Sequence, residues 1–291
     1  MKVEFKEEHL QLLMRIRDVV GASNEEWAEE LMLTSRQFGR IVSGRSKLPA
    51  HSLIELCEKY NLDPENFFRL KVDLRALYEH SKGNLDYIPE EFTKAAGSNC
   101  RTFQMFLESV EDQIGWDARI DSLRKIQIHE KAFSNPHRKV NIRLMSNYLL
   151  ALKGYYNLKE PDFFRIGQHS YEMHRDLTFG MLMSSQKNVS EAYEKLIWDL
   201  SPYMENNNKY KISKMTKNCV QVDCCQNFEI SEGLGVEING SVETCNIRAG
   251  ILSSAPRYLG MTPSRVLETQ CVHRGDAFCR FVITHKETSY H

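Results

Sequence analysis

The sequence carries almost no excess charge of either sign and no long hydrophobic run. Its 38 basic and 39 acidic residues leave a net charge of −1. That total argues neither for nor against nucleic acid, because a local basic face can hide within a neutral sum. No window approaches the ~18 uninterrupted apolar residues of a membrane span, so no membrane association is expected. The opening MKVEFKEEHLQLL carries Glu4, Glu7 and Glu8 and lacks the apolar core and cleavage site of a secretory signal. Its absence predicts a cytoplasmic protein whose thiols stay reduced. There is no internal repeat and no low-complexity segment. The chain also lacks a G-x-x-x-x-G-K-[ST] phosphate loop, a dinucleotide glycine motif, a Ser-His-Asp arrangement and an H-E-x-x-H pair. Turnover has no identified machinery, and the chain reads as a non-enzyme.

What is present is an ordinary globular composition, 42% apolar and 26% charged over 291 residues. That length suggests two or three domains and a core large enough to need no disulfide staples. Eight cysteines in a reducing compartment suit metal ligands, core residues or redox sensors better than bridges.

The first 75 residues read as short helices with clear punctuation. One covers roughly 8–20 and stops at Gly21. Ser23-x-x-Glu26 is a capping box that starts a second helix through Trp27, Ala28 and Leu31. Thr34 with Gln37 starts a third that ends at Gly44, and Pro49 opens a fourth over about 49–60. Two short helices joined by a tight turn form a helix-turn-helix, whose second helix enters the major groove of DNA. Charge agrees with this. No acidic residue falls between Leu31 and Ile54, whereas Glu25, Glu26, Glu29 and Glu30 crowd the second helix. The candidate DNA contacts are Ser35, Arg36, Gln37, Arg40, Arg45 and Lys47, with Phe38 and Ile41 turned into the core. Ala28, Leu33, Ile41, Gly44, Pro49 and Leu53 stand where the lambda-repressor/Cro-like family wants them, and the segment resembles that family; Val42 replaces a glutamate common there. The resemblance implies a compact helical bundle that binds double-stranded DNA, usually as a homodimer.

Residues 76–135 read as a helical connector or dimerisation region. Phe103, Leu107, Val110 and Ile114 share one helical face, as do Trp116, Ile120, Leu123 and Ile126. The remainder, 136–291, opens with helices near 140–155, 161–175 and 189–204 and then changes character. KYKISKMTKNCVQVDCC reads as two strands around a Lys-Asn turn; a glycine-containing segment (232–240) and a helix after about Thr244 follow. ETQCVHRGDAFCRFVI closes the chain as a hairpin, with Cys271 opposite Cys279 and Arg274-Gly275-Asp276 as a three-residue loop. The fold class expected is an all-α helix-turn-helix head and helical connector, followed by an α/β sensor domain with a mainly antiparallel sheet.

Cys245, Cys271 and Cys279 line up near the carboxyl end. Two thiols across a hairpin can be a disulfide, two core residues or two metal ligands, and thiolate-rich sites select zinc. Cys245, Glu268, Cys271, Gly275-Asp276, Cys279 and Phe281 match the pattern of the 4-vinyl reductase-like family, which the segment resembles over about 45 residues. That family includes the sensor domains of phenol-responsive activators. The resemblance implies a structural zinc held by Cys245, Glu268, Cys271 and Cys279. Glu268, three residues from Cys271, needs a bulge to reach the same face. It also implies an apolar pocket for a small-molecule effector, with Tyr193, Trp198, Phe228 and Tyr258 as candidate lining. The phenol sensors' ligand-binding Trp and His have no counterpart, since Trp occurs only at 27, 116 and 198 and no His lies between 175 and 272. Together the two resemblances imply a one-component transcription regulator. Two alternatives stand beside it: an enzyme of the reductase type, and a thiol or haem redox sensor using Cys219, Cys224 and Cys225 or His169 and His174.

Overall fold

The computed structural model describes residues 5–235 and 240–285; part of the 232–240 segment therefore lies outside the described residues. The chain divides into two compact units: residues 1–89 with 120–134, and residues 90–119 with 135–291. Residues 76–135 are shared between both units rather than standing apart.

The first unit is helical. It contains α1 (Glu7–Val20), α2 (Asn24–Glu30), α3 (Ser35–Val42), α4 (Ala50–Lys59), α5 (Pro64–Phe68) and α6 (Leu74–Ser81). Several starts follow from a side chain that satisfies an orphan amide. Ser23 and Glu26 form one reciprocal box, Thr34 and Gln37 another, and Asp63 and Asp73 cap α5 and α6. Gly21 ends α1 at φ 79°, where glycine has no Cβ penalty. The apolar faces meet in one core that includes Leu13, Ile16, Trp27, Leu31, Ile41, Leu56, Phe67 and Leu77. Residues 120–134 join this unit through polar ties: Lys125 Nζ lies 3.0 Å from Asp63 and 2.6 Å from Glu65, and Asn66 Nδ2 donates to the Lys125 carbonyl.

The second unit begins with α7 (Glu90–Thr93), a two-stranded ribbon of β1 (Ser98–Asn99) with β2 (Lys139–Val140), and α8 (Cys100–Ile114). The helix α9 (Trp116–Lys125) straddles the division between the units. Then come α10 (Ile142–Tyr156), α11 (Glu160–Gln168), α12 (Ser170–His174), α13 (Thr178–Ser184) and α14 (Val189–Glu194). A π-helical stretch, Lys195–Leu200, continues α14 into α15 (Ser201–Met204). The strands β3 (Asn208–Thr216) and β4 (Cys219–Gln226) form the expected hairpin around Lys217-Asn218. After α16 (Phe228–Leu234) and α17 (Val242–Ser254), β5 (Arg265–Gln270) and β6 (Cys279–Thr284) complete a four-stranded antiparallel sheet of order β3-β4-β6-β5. The chain is thus mostly helical with an antiparallel sheet at its carboxyl end. Among the described residues no helix is long and apolar enough to cross a membrane.

The two central strands alternate as a half-buried sheet should. Val220, Val222 and Cys224 of β4 and Cys279, Phe281 and Ile283 of β6 face the core. On the other face Asp223 accepts two hydrogen bonds from Arg280, at 2.7 and 2.8 Å. Against the core face lies α17, which in turn meets α11 backbone to backbone. A Cβ added at Gly167 would stand 2.1 Å from the Ile247 carbonyl oxygen, and one at Gly250 2.1 Å from that of Phe164. Only glycine at both positions permits this approach.

One local expectation is corrected. The β5–β6 pair is joined not by a three-residue loop but by residues 271–278, with a 3₁₀ turn over Val272–Arg274 and Gly275 at φ 98°. The Asp276 carboxylate accepts from the Cys271 amide at 2.7 Å, and this tie holds the wider turn closed.

Candidate functional site

Two arrangements of interest share α17. The first is a thiol cluster. Cys245 Sγ lies 3.6 Å from Cys279 Sγ and 3.9 Å from Cys271 Sγ. These separations exceed the ~2.05 Å of a disulfide, and all eight cysteines are free. Ligand atoms of Cys245, Glu268, Cys271 and Cys279 all fall within 4.8 Å of one another. The register of β5 against β6 shifts between Glu268 and Gln270. Glu268 pairs with core-facing Phe281 and faces inward with its Oε1 buried without a partner, and the shift that follows it resets the strand's parity so that Cys271 comes to the same face. Burial and the neighbouring Cys279 and Glu268 charges push the Cys271 thiol up to about 12. The Cys279 sulfur, accepting from Cys245 and from the Val272 amide, is drawn down to about 7. Cys245, as donor, is raised. Three sulfurs and an unpaired carboxylate oxygen in one place can hold a thiolate-preferring ion.

The second arrangement is a pair of adjoining, partly open chambers between helices and sheet. The larger, about 170 Å³, is floored by apolar groups including Phe103, Met145, Ile247 and Ile251, with Glu205, Tyr210 and Arg248 at one end. The smaller, about 90 Å³, is lined by Met105, Phe106, Met173, His174, Phe179 and Tyr258, among others. Met145, Leu196 and Met204 border both. The π-helical stretch supplies Leu196 and Ile197 to the larger chamber; such stretches often mark functional sites.

His174 is the one histidine lining a chamber among the described residues. Its Nδ1 lies 2.6 Å from the Ser170 carbonyl oxygen. A carbonyl can only accept, so Nδ1 carries the proton and Nε2 keeps its lone pair while the ring is neutral. Burial holds the imidazole below its usual range, which keeps it neutral at pH 7. A ring tied at one nitrogen and basic at the other has the makings of a metal ligand. His169 is used otherwise: its Nε2 lies 3.1 Å from Asp112, and it lines neither chamber.

The sequence-predicted residues scatter differently. Of the four candidate ligand contacts, only Tyr258 lines a chamber. Tyr193 is fully buried in the core, where its hydroxyl donates to the Leu252 carbonyl at 2.8 Å. Trp198 and Phe228 are 54% and 80% exposed, because the faces they occupy point away from the chambers. Cys224 is buried in β4, with its thiol pushed up to about 12 by desolvation, while Cys225 faces outward and Cys219 is partly covered. Ser35, Arg36, Gln37, Arg40, Arg45 and Lys47 are all exposed on the first unit, although Gln37 Oε1 is engaged by the Thr34 amide. Sequence reasoning missed Arg248 and Tyr210, since neither sits in a motif.

No protein-family model matches the chain, and no curated protein matches it. Solved structures do. An H-NOX protein mutant from K. algicida, described in its Fe(II) unliganded state, superposes with a TM-score of 0.50 at 13% identity, covering 66% of this chain and 98% of that one. The corresponding H-NOX protein described without a mutation gives 0.48 at 12%, over 66% and 99%. An H-NOX protein from S. oneidensis, in its Fe(II)NO ligation state, gives 0.47 at 12%, over 64% and 98%. At these identities the likeness is one of fold. It corrects the expectation of a DNA-binding transcription regulator that senses an apolar effector through a zinc-braced domain. The structure that superposes at 0.50 is an H-NOX protein described by its iron state, and it lends structural zinc no support. The thiol cluster stands as geometry, and the expectation that it holds zinc is corrected with the rest.

Proposed function

We propose that this chain is a sensor of the haem or redox type, with the second unit as its sensing element. The observation that carries the reading is His174, a neutral imidazole with Nδ1 anchored on Ser170 and its other nitrogen without a hydrogen-bond partner among the described residues, lining a mostly apolar chamber. It is supported by the H-NOX likeness of fold, in a family with a solved member described as Fe(II).

The residues fit an iron tetrapyrrole in their donors and in the polarity of their walls. In volume they do not fit as the chain stands, since the two chambers, about 170 and 90 Å³, even together fall short of the ~300 Å³ at which ligand pockets begin. Entry would require the side chains that border both, Thr102, Met145, Leu196, Met204, Ile247 and Ile251, to move, and the two unbranched thioethers among them adapt most readily. His174 would hold the iron, and the apolar walls would exclude water. When bound, the group would supply an open coordination position for a small ligand or a redox change. The chain's own part is to orient the His174 ring through Ser170 and to register ligation as a shift of α12 against α17, which lines both chambers.

The test is direct. Adding haem to the purified apoprotein should develop the intense near-400 nm band of a ligated haem, and His174→Ala should lower the affinity at least tenfold. Unchanged binding by His174→Ala, or no band from wild-type protein of native circular dichroism, would refute the reading.

For the first unit we infer the finer fold as a helix-turn-helix, on the ground that α2 and α3 are joined by only the four residues Leu31–Thr34 with a capping box at each start. Backbone chemical shifts that place helix across Leu31–Thr34 would sink that assignment.

A further inference from the structure

Two histidines meet in the first unit where residues 126–134 return to it. The rings of His80, in the last turn of α6, and His129 stand edge-on, 6.2 Å apart between centres and inclined at 69°. His129 opens a 3₁₀ turn over Glu130–Phe133, and its Nδ1 accepts from the Lys131 amide at 3.2 Å. A ring nitrogen accepts only while it is unprotonated, so the neutral ring carries its proton on Nε2. His80 Nε2 is buried and has no hydrogen-bond partner among the described residues. Around the pair, Ile128, Ala132 and Phe133 are buried. Gln127 ties the segment to the approach to α6: its Oε1 accepts from the Asp73 amide at 2.6 Å, and its Nε2 donates to the Lys71 carbonyl at 3.1 Å.

Both rings suit the neutral state and not the charged one. A proton on His129 Nδ1 turns the acceptor of the cap into a donor, set against the Lys131 N–H, and the cap is lost. On His80 a second proton makes both nitrogens donors, with Nε2 enclosed where no acceptor stands, and a buried donor left unmatched is costly. Two imidazolium rings at this separation also repel each other. Nearby carboxylates act in the opposite sense. Asp73 and Glu79 favour charge on His80, and Glu130 favours it on His129, where Lys131 opposes it. Asp73 and Glu79 are engaged elsewhere as well: Asp73 Oδ1 accepts from the Arg75 and Ala76 amides at 2.8 and 3.1 Å, and Glu79 pairs with Arg75 and accepts from Asn84 at 2.9 Å. Burial prevails over these carboxylates and holds both rings below their ordinary range.

We propose that His80 and His129 form a proton-operated latch, which holds residues 126–134 on the first unit while both rings are neutral and frees them when both are protonated. The latch stands apart from the sensing reading of the second unit, since none of its residues lines a chamber. A ring protonated more readily in the free segment than in the docked one favours release as pH falls below the ordinary ~6.5. The latch is therefore fully closed above that pH and is lost on acidification. One such ring raises the open fraction by up to ~10-fold per pH unit, and two by up to ~100-fold. The ties from Lys125 to Asp63 and Glu65 contain no imidazole, so α9 stays docked and the opening is local.

Amide hydrogen exchange on the full chain between pH 7 and 5, each rate divided by that of an unstructured peptide at the same pH, reads the opening. The amides of Ile128, Lys131 and Ala132, bonded to the Leu123 carbonyl, His129 Nδ1 and the His129 carbonyl, should lose protection at least ~30-fold. Those of Leu33 and Phe38, bonded within the same unit to Ala28 and Thr34, should change less than ~3-fold. His129→Asn, which keeps a capping acceptor but does not titrate, and His80→Gln should each halve the pH slope, and the double variant should flatten it. Imidazole nitrogen shifts of the parent protein give a second measurement that survives a variant failing to fold: His129 should be the Nε2–H tautomer at pH 7, with both rings titrating below ~6.5. A double variant with the parental slope, loss of protection spread evenly over the first unit, or rings titrating at their ordinary value would overturn the latch.

Discussion

Substituting Gly250 by alanine tests the packing on which both the chambers and the thiol cluster depend. The new Cβ would fall 2.1 Å from the Phe164 carbonyl oxygen, 2.8 Å from the Gln168 nitrogen and 2.9 Å from the Gly167 Cα. All three are backbone atoms, so no side chain can rotate out of the way. Reaching ordinary contact at 3.4 Å requires α11 and α17 to part by roughly 1.3 Å. Overpacking a core typically costs ~1–3 kcal/mol, and a clash with rigid backbone belongs at the upper end. At ~3 kcal/mol, a unit of this size should lose ~6–12 °C in melting temperature. The control is Gly154→Ala on the exposed face of α10, where no atom lies within 4 Å of the new methyl group. That change should be neutral or stabilising by up to ~1 kcal/mol through helix propensity. Differential scanning calorimetry of the two variants beside the parent makes the measurement. A Gly250→Ala protein that melts within ~1 °C of the parent would refute the backbone-to-backbone contact.

Two further outcomes follow from titration and exposure. Burial lowers the His174 pKa in the folded chain relative to its ordinary value of 6.5, so the unfolded chain binds more protons once pH drops below that value. Its contribution to stability is complete above about pH 6.5 and is lost as the solution is acidified toward the folded pKa; His80, His129 and His273 are shifted the same way by the same cause. The melting temperature should fall between pH 7 and 5, and His174→Gln should flatten part of that fall; an identical pH profile for the variant would count against a buried neutral ring. Among the eight cysteines only Cys225 is exposed and Cys219 partly so. A thiol reagent should label Cys225 in a fast phase that Cys225→Ser removes, and rapid labelling of Cys245, Cys271 or Cys279 in native protein would contradict the closed cluster.

Much of the local structure was legible from short-range chemistry. Ser23 with Glu26 and Thr34 with Gln37 declare helix starts because each pair satisfies amides within three residues of itself. Lys217-Asn218 declares a hairpin for a similar reason. The grouping of Cys245, Glu268, Cys271 and Cys279 came instead from the family resemblance, and the strand irregularity it required lies between Glu268 and Gln270. The chambers were not legible. Tyr193, Trp198 and Phe228 were plausible as apolar or aromatic lining, but which side of a helix faces a cavity depends on what packs against its other side. Arg248 looked like any helix-borne cation. Only the enclosure of α17 by α11, α10 and the sheet sets it at the end of a chamber.

By itself the amino-acid sequence determined where helices begin and which strand faces are apolar, since capping, alternation and turn chemistry act over a few residues. Tertiary packing decided the rest: the close seam permitted by Gly167 and Gly250, and the chambers beside it. Those features arise from residues far apart in the chain meeting in low-dielectric surroundings, where the energy of a charge or a void depends on every neighbour at once.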